Sequence, residues 1–414
     1  MLELQQRLAQ RARGKMPSPI RALFKYLSVD GMISLGGGYP HPDTFAFHRI
    51  SIEFSDGTSS EISGSELTAA SQYGPSDVHS GLKSWLTKWH QAKDGVILDT
   101  SQIVALNGSQ EGLFIMAYLF LEPGDSVLLS EPTYPGALSA FRSFTNHFIG
   151  IPLDENGLNT AIAERRLNEL KKAGKKLPKF IYTIPNGHNP GGIALSSDRR
   201  EHLACLGEKF DILILEDDPY QLIKLDDSDS FHSIQYFDKT GHVVRLDSFS
   251  KIFTPGLRVG YASGSAEMMQ QFVYFKQAAN LHTSMLTQAL LVSYFDTSGI
   301  DEFRNRIRAN CERYRTNRDQ MVASARRYLP ANVQFNIPSE GMFIWFRLPD
   351  VFDSHRMLDL KAIESRVLLV PGDAFSTQNG CKNCVRASFS MVTPEQIDEG
   401  MKRFGQMIRE TESG

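Results

Sequence analysis

Lys251 stands among groups that can do chemistry together. Residues 243–263 read VVRLDSFSKIFTPGLRVGYAS. Two short apolar strand patterns, Val243, Val244 and Leu246 and then Val259, Tyr261 and Ala262, enclose an irregular connection holding Ser248, Ser250, Lys251, Pro255, Gly256 and Arg258. A lysine amine becomes a covalent catalyst when its surroundings lower its pKa, and imine exchange with a carbonyl is what it does best. An isolated Ser-x-x-Lys reads equally well as a surface lysine after a strand. Arg258, seven residues further on, shifts that balance. Two hydroxyls, an arginine and a lysine on one turn make a site for a phosphate beside an imine.

Other candidates recur at the ends of apolar runs. The run 212–215 ends in EDDPY at 216–220, and three consecutive carboxylates at a buried strand tip are costly unless a cation meets one of them. A metal is one such cation. Alternation puts Glu216 and Asp218 on one face and Asp217 on the other, and a single inward acid suits an organic cation better than a metal cage. Asp217 is the acid chosen, with Tyr220 beside it. Asn107-Gly108-Ser109-Gln110 reads as a glycine turn entering a helix whose free N–H groups favour a phosphate, or as a plain serine cap. Tyr134 follows the run 126–129 and can stack on a planar ring or simply end a turn. Asn189, in PNGHNPGG at 185–192, can donate to a phenolate oxygen. Arg386 lies on an apolar strand pattern, as an ion-pair partner or a carboxylate fork. Tyr73 lies in a turn just ahead of a helix-forming stretch with its hydroxyl available, and Gly36-Gly37-Gly38 before Tyr39 leaves backbone bare for a ligand.

The elements that must position these residues alternate. Apolar strand patterns at 103–106, 126–129, 179–184 and 212–215 are interleaved with helical ones at 110–121 and 197–209. This argues for an α/β fold with a mainly parallel sheet flanked by helices, whose ligands bind at the carboxyl ends of the strands. Helical patterns follow at 267–295 and 307–328. Short strands at 333–337, 342–348, 367–370 and 385–390, with helices at 355–365 and 394–409, read as a smaller α+β domain. The expected division is an amino-terminal arm over 1–45, a large domain over 46–300 and a small one over 301–414. Residues 1–15, with Arg7, Arg11, Arg13 and Lys15 against Glu3, read as an amphipathic first helix or a transit signal.

The motifs occur together and in order: PSPIR, SLGGG, SQYGPS, NGSQ, EPTY, IPNGHNPGG, EDDPY, DSFSK with GLRVGY, and RASFS. In this the chain resembles the fold-type I pyridoxal-phosphate aminotransferases, and within them the kynurenine, 2-aminoadipate and aromatic subgroup, over nearly its whole length. The resemblance implies pyridoxal 5'-phosphate bound as an imine to Lys251, which once freed moves the substrate's α-proton. It implies Asp217 on the pyridine nitrogen, and Asn189 and Tyr220 on the phenolate oxygen. Ser109, Gln110, Ser248, Ser250 and Arg258 would hold the phosphate with the partner subunit's Tyr73, and Arg386 the substrate α-carboxylate. Arg21, Gly38 and Tyr39 would lie beside the substrate. The resemblance further implies a homodimer with shared sites, and a ping-pong transfer from an aromatic, kynurenine or 2-aminoadipate donor to 2-oxoglutarate. Gly191 departs from the family's N-P-T-G, and Tyr39 stands where relatives often carry an aliphatic residue. A β-lyase, a decarboxylase or a ligand-sensing domain on the same fold are the alternatives.

Composition excludes other classes. Lys and Arg total 44 against 47 for Asp and Glu, a net charge of −3, which suggests neither nucleic acid nor an anionic membrane as partner. No apolar run is long enough to span a bilayer. Four cysteines suit a reducing, cytoplasmic setting. Cys381 and Cys384 form a lone C-x-x-C without a second pair, so no metal site is expected.

Overall fold

The computed structural model describes residues 3–26, 29–226, 231–378 and 380–412. It divides into two compact units, each drawn from two stretches of chain: 1–123 with 232–305, and 124–231 with 306–414.

In the first unit three strands pair in antiparallel order, Ile103–Leu106, Gly260–Ser263 and Val243–Ser248. They are buried throughout, as strands covered on both faces must be. Their register sets the level at which the chain leaves the sheet. Gly260 stands opposite Leu106 on one side and Ser248 on the other. The carboxyl ends of two strands and the amino end of the third therefore lie level, and the segments 107–109, 248–251 and 258 leave the strands together. The helices Ser109–Phe120 and Ala266–Ala279 pack on these strands. The unit also holds an aromatic cluster in which Trp85 stacks on Phe295 at 3.7 Å and on Trp89 at 5.2 Å, with Phe303 edge-on to both tryptophans.

In the second unit the strands Leu213–Asp217, Phe180–Thr183, Ser126–Glu131 and His147–Asp154 are parallel neighbours in that order, and Gly157–Leu158 adds an antiparallel edge. Thr183 stands opposite Glu216, so the loops that leave both strands start at one level. A second, antiparallel sheet comprises Gln334–Phe335, Phe343–Arg347, Cys384–Ser388 and Val370–Pro371. The helices Ser354–Ser365 and Pro394–Glu412 accompany it.

The α/β class expected from the alternation is found, with one adjustment: in the first unit Gly260–Ser263 runs antiparallel to both Ile103–Leu106 and Val243–Ser248. Two helical expectations also change. The amino-terminal helix shrinks to Leu4–Arg7 followed by a 3₁₀ turn at Gln10–Ala12, with Leu4, Leu8, Ala9 and Ala12 buried. The pattern at 267–295 breaks after Ala279, where Leu281 adopts a left-handed φ of 67°, and resumes in Met285–Tyr328, which is itself interrupted at Gly299.

Candidate active site

In the first unit the level strand ends gather an anion-binding set. Ser109 opens a twelve-residue helix behind Gly108, and no side chain caps that helix. The N–H groups of its first turn and its dipole are available to a negative charge. Gly108 has a φ of 77°, and a Cβ there would lie 2.3 Å from a guanidinium nitrogen of Arg258, so a larger residue would displace the arginine. Arg258, itself in a left-handed conformation, donates to Ser250 Oγ at 3.2 Å and to the Asn107 carbonyl at 3.3 Å. Ser248 Oγ accepts from the Ser250 N–H at 3.2 Å, which tightens the turn Phe249–Lys251 that ends in Lys251. Lys251 is half-buried there. One arginine, hydroxyls and a helix N-terminus form the donor set of a phosphate site.

Under the cradle sits an ion pair that local sequence patterns do not disclose. Lys276, fully buried, donates from Nζ to Glu111 at 3.1 Å and to Thr283 Oγ1 at 2.9 Å. Glu111 in turn accepts from the Asn107 N–H at 2.6 Å, fixing the turn that leads to Ser109. Burial lowers the Lys276 pKa and Glu111 opposes that shift. The amino-terminal candidates gather elsewhere in the same unit. Arg21 donates to the Gly74 carbonyl, and Tyr39 and Tyr73 lie 6.4 Å apart, with the Tyr73 ring also edge-on to His282 at 6.1 Å. Tyr73 is 48% exposed. Gly38 and Gln110 are exposed as well.

The second unit presents a buried set. Asn189, Asp217 and Tyr220 are each 5% exposed or less. The Tyr182 hydroxyl donates to Asp217 Oδ2 at 2.9 Å, and Arg386 donates from one terminal nitrogen to Asn189 Oδ1 at 2.8 Å. Tyr220 also bonds to Asn189, while burial, then Tyr134 and Asp217, push its phenol well above the ordinary value against Arg386 and Asn189. Tyr134 immediately precedes the helix Pro135–Arg142, shortly after a strand. The Arg386 guanidinium lies over the Phe343 ring at 4.3 Å and the Phe375 ring at 5.1 Å. Its Nε is buried and, among the described residues, has no hydrogen-bond partner. An arginine fork with a donor unmatched in a low-dielectric site is suited to a carboxylate.

All three acids at 216–218 are buried, so strand alternation does not single out Asp217 by exposure. Asp218 is held by the side-chain amide of Asn186 at 2.8 Å, and Asn186 in turn accepts from the buried Arg200 at 2.9 Å. Arg200 also donates to the carbonyls of Leu195 and Pro185, holding the 185–195 loop that carries Asn189. Among the described residues no group of three or more His, Cys, Asp or Glu is placed to hold a metal ion.

The family model for aminotransferase class I and II matches residues 59–404. The aromatic-amino-acid aminotransferase 1 of Thermococcus litoralis is 33% identical over 99% of this chain and 95% of its own. The kynurenine/alpha-aminoadipate aminotransferase, mitochondrial, of Mus musculus is 33% identical over 96% and 97%. Among solved structures, a kynurenine aminotransferase of Pyrococcus horikoshii in complex with PMP is 33% identical, covers 99% of this chain and 98% of its own, and superposes with a TM-score of 0.80. Both residue sets fit that family's cofactor: phosphate donors beside a lysine in one, and a buried carboxylate with phenol and amide donors in the other. The chain belongs to the class I and II aminotransferases and is a pyridoxal-phosphate-dependent transaminase.

Proposed function

We propose that the chain transfers the α-amino group of aromatic, kynurenine-type or 2-aminoadipate donors to 2-oxoglutarate, in two half-reactions with ping-pong kinetics. The observation that carries the reading is Arg386, a half-buried arginine whose buried Nε is unmatched among the described residues and whose terminal nitrogen bonds to Asn189, flanked by two aromatic rings. Its fork takes the α-carboxylate common to every donor and acceptor. The names of the relatives, aromatic, kynurenine and 2-aminoadipate aminotransferases, support the choice of donors.

When bound, pyridoxal phosphate supplies an electron sink for the charge left at Cα. This chain's residues do the rest. Ser109, Gln110, Ser248, Ser250 and Arg258 bind the phosphate. Asp217, oriented by the Tyr182 hydroxyl, keeps a proton on the ring nitrogen, and Asn189 and Tyr220 donate to the ring oxygen. Tyr134 stacks on the ring. Lys251 anchors the cofactor and then, as a free amine, carries the α-proton away from the substrate. Arg386 fixes the carboxylate so that the Cα–H bond is the one presented for cleavage. Arg21, Gly38 and Tyr39 bear on the donor side chain, Arg21 by pairing with a distal carboxylate and Tyr39 by aromatic contact. A homodimer completes the site, with the partner subunit's Tyr73 on the phosphate; the exposure of Tyr73 supports this. Four unbonded cysteines support a cytoplasmic setting.

Absorbance spectra during titration with a donor panel test the proposal. The visible band should shift to shorter wavelength with phenylalanine, kynurenine and 2-aminoadipate and return with 2-oxoglutarate. Turnover confined to alanine or branched-chain donors would overturn it.

A further inference from the structure

Cys381 and Cys384 take no part in the chemistry above, yet the turn they bracket is shaped for a bond between them. The Cys384 N–H donates to the Cys381 carbonyl at 2.9 Å, closing a four-residue turn through Lys382 and Asn383. Such turns hold their end Cα atoms within about 7 Å, which overlaps the roughly 4.4–6.8 Å that a disulfide spans. Both thiols are free, and they are hydrogen-bonded to each other. Cys381 adopts a left-handed φ of 56°, a conformation that side chains rarely take.

The surroundings fix this turn from several sides. The Ser354 N–H donates to the Lys382 carbonyl at 2.7 Å, and the Leu348 N–H to the Asn383 carbonyl at 2.7 Å. The Asn383 amide returns a bond to the Leu348 carbonyl at 2.7 Å. Gly372 approaches so closely that a Cβ there would lie 2.2 Å from the Cys381 carbonyl oxygen and 2.7 Å from the Cys384 Cβ. The pair cannot drift apart, and any drawing together of its sulfurs has to be taken up along the strand Cys384–Ser388. Arg386 is the third residue of that strand and points to the same face as Cys384.

We propose that Cys381 and Cys384 are a reversible dithiol–disulfide pair whose closure shifts the strand carrying Arg386 and weakens its hold on a carboxylate. The second half of this rests on Arg386 being the carboxylate anchor; the first half does not. A small-molecule disulfide is the oxidant. The Cys381 S–H donates to the Cys384 sulfur, and this bond holds the Cys384 thiol below its ordinary range against the opposing effect of burial. Cys381 is the half-buried member and the one a reagent reaches, whereas Cys384 is 1% exposed. Cys381 loses its proton to solvent, attacks one reagent sulfur and expels the first reagent thiolate, which takes up a proton. Cys384 then loses its own proton, attacks the Cys381 sulfur and expels the second thiolate, which is protonated in turn. The two protein thiols give up two electrons and two protons, which leave on two molecules of reagent thiol.

Oxidised glutathione is the probe, used on the holoenzyme. Trypsin cuts after the exposed Lys382, so a closed pair links the peptides 367–382 and 383–386 under non-reducing conditions. The linked peptides should appear with oxidised glutathione and disappear with dithiothreitol. Cys384→Ser should stop at a glutathione adduct on Cys381, and Cys381→Ser should leave Cys384 unmodified. KM for the amino donor should rise about tenfold on oxidation, the equivalent of one weakened charge-assisted hydrogen bond, with the visible cofactor band and kcat unchanged and with Cys381→Ser insensitive. A pair that stays reduced while the exposed Cys205 is fully modified overturns the dithiol assignment. Linked peptides with an unchanged KM overturn the coupling to Arg386. Linked peptides from an enzyme that transaminates in neither state would leave the pair standing and remove the reading of Arg386.

Discussion

The two residue sets differ in what they do before any ligand arrives. In the first unit Arg258 and Gln110 are exposed, and the helix behind Ser109 has no side-chain cap. These are donors suited to an anion, held in place by strand register. In the second unit Asn189, Asp217 and Tyr220 are buried and bonded to Arg386, to Tyr182 and to one another. That network is fixed by the fold. Damage to the first set should appear as lost cofactor affinity that excess cofactor restores. Damage to the second should appear in substrate terms or in stability, and cofactor should not restore it.

The largest effect tests the point at which the first set stops being a binding device. Lys251→Ala should lower kcat by about 10⁴-fold, the upper range for a lost general base, and abolish the visible band of the purified protein. Excess pyridoxal phosphate should restore binding but not turnover. Full rescue by cofactor would make Lys251 one more donor and dissolve the distinction.

Next comes the buried ion pair beneath the cradle, which lies in the first unit but has the character of the second. Lys276→Met leaves Glu111 without its ammonium partner, at a cost of about 3 kcal/mol to folding. Urea denaturation measures it. A loss below ~1 kcal/mol would show that Asn107 and Asn280 satisfy Glu111 without the lysine.

What was legible in the sequence divides along the same line. Ser248, Ser250, Lys251 and Arg258 lie within one turn, so their types and spacing could be read together. That Ser109 joins them was legible only through the resemblance, because it depends on Gly260 pairing with both Leu106 and Ser248 across the strands. In the second unit the buried network was mostly silent. Asn186 reaches Asp218 from 32 residues away, and Tyr182 reaches Asp217 from 35. Arg200 sits next to Arg199 on a charged helix and carries no local sign that it is fully buried. Alternation chose Asp217 among three acids by the face it takes, whereas the fold buries all three and distinguishes them by their donors. The parallel sheet was read from strand and helix alternation. The antiparallel pairing of the first unit was not, since the order in which strands neighbour one another leaves no periodic trace.

Arginine in the two units gives a direct contrast. Arg386→Lys should raise KM for donor and acceptor alike by about 10²-fold, because a point charge replaces a fork that its surroundings hold flat between rings. Arg258→Lys should weaken the cofactor instead, and saturating pyridoxal phosphate should return the activity. Equal rescue of both variants would mean that the two sets are not separable in this way.

His188 provides the smallest test and the one that reads the second set through pH. It is 2% exposed, its Nδ1 accepts from the Gly191 N–H at 3.3 Å, and its Nε2–H donates to Ser130 at 2.8 Å. A second ring proton would point at the Gly191 N–H, and burial holds the pKa down from 6.5 to about 3. Between those values the unfolded chain takes up a proton that the folded chain refuses. The stability His188 allows is therefore complete above pH 6.5 and is lost as pH falls, by ~1.4 kcal/mol per pH unit through the window. His188→Gln keeps one of the two hydrogen bonds and removes the titration. Its urea stability should be lower than that of the parent enzyme at pH 7 and should fall less steeply from pH 6.5 to pH 4. Parallel curves would mean that the loop bearing Asn189 opens enough to admit the proton, and that the second set is less fixed than its hydrogen bonds imply.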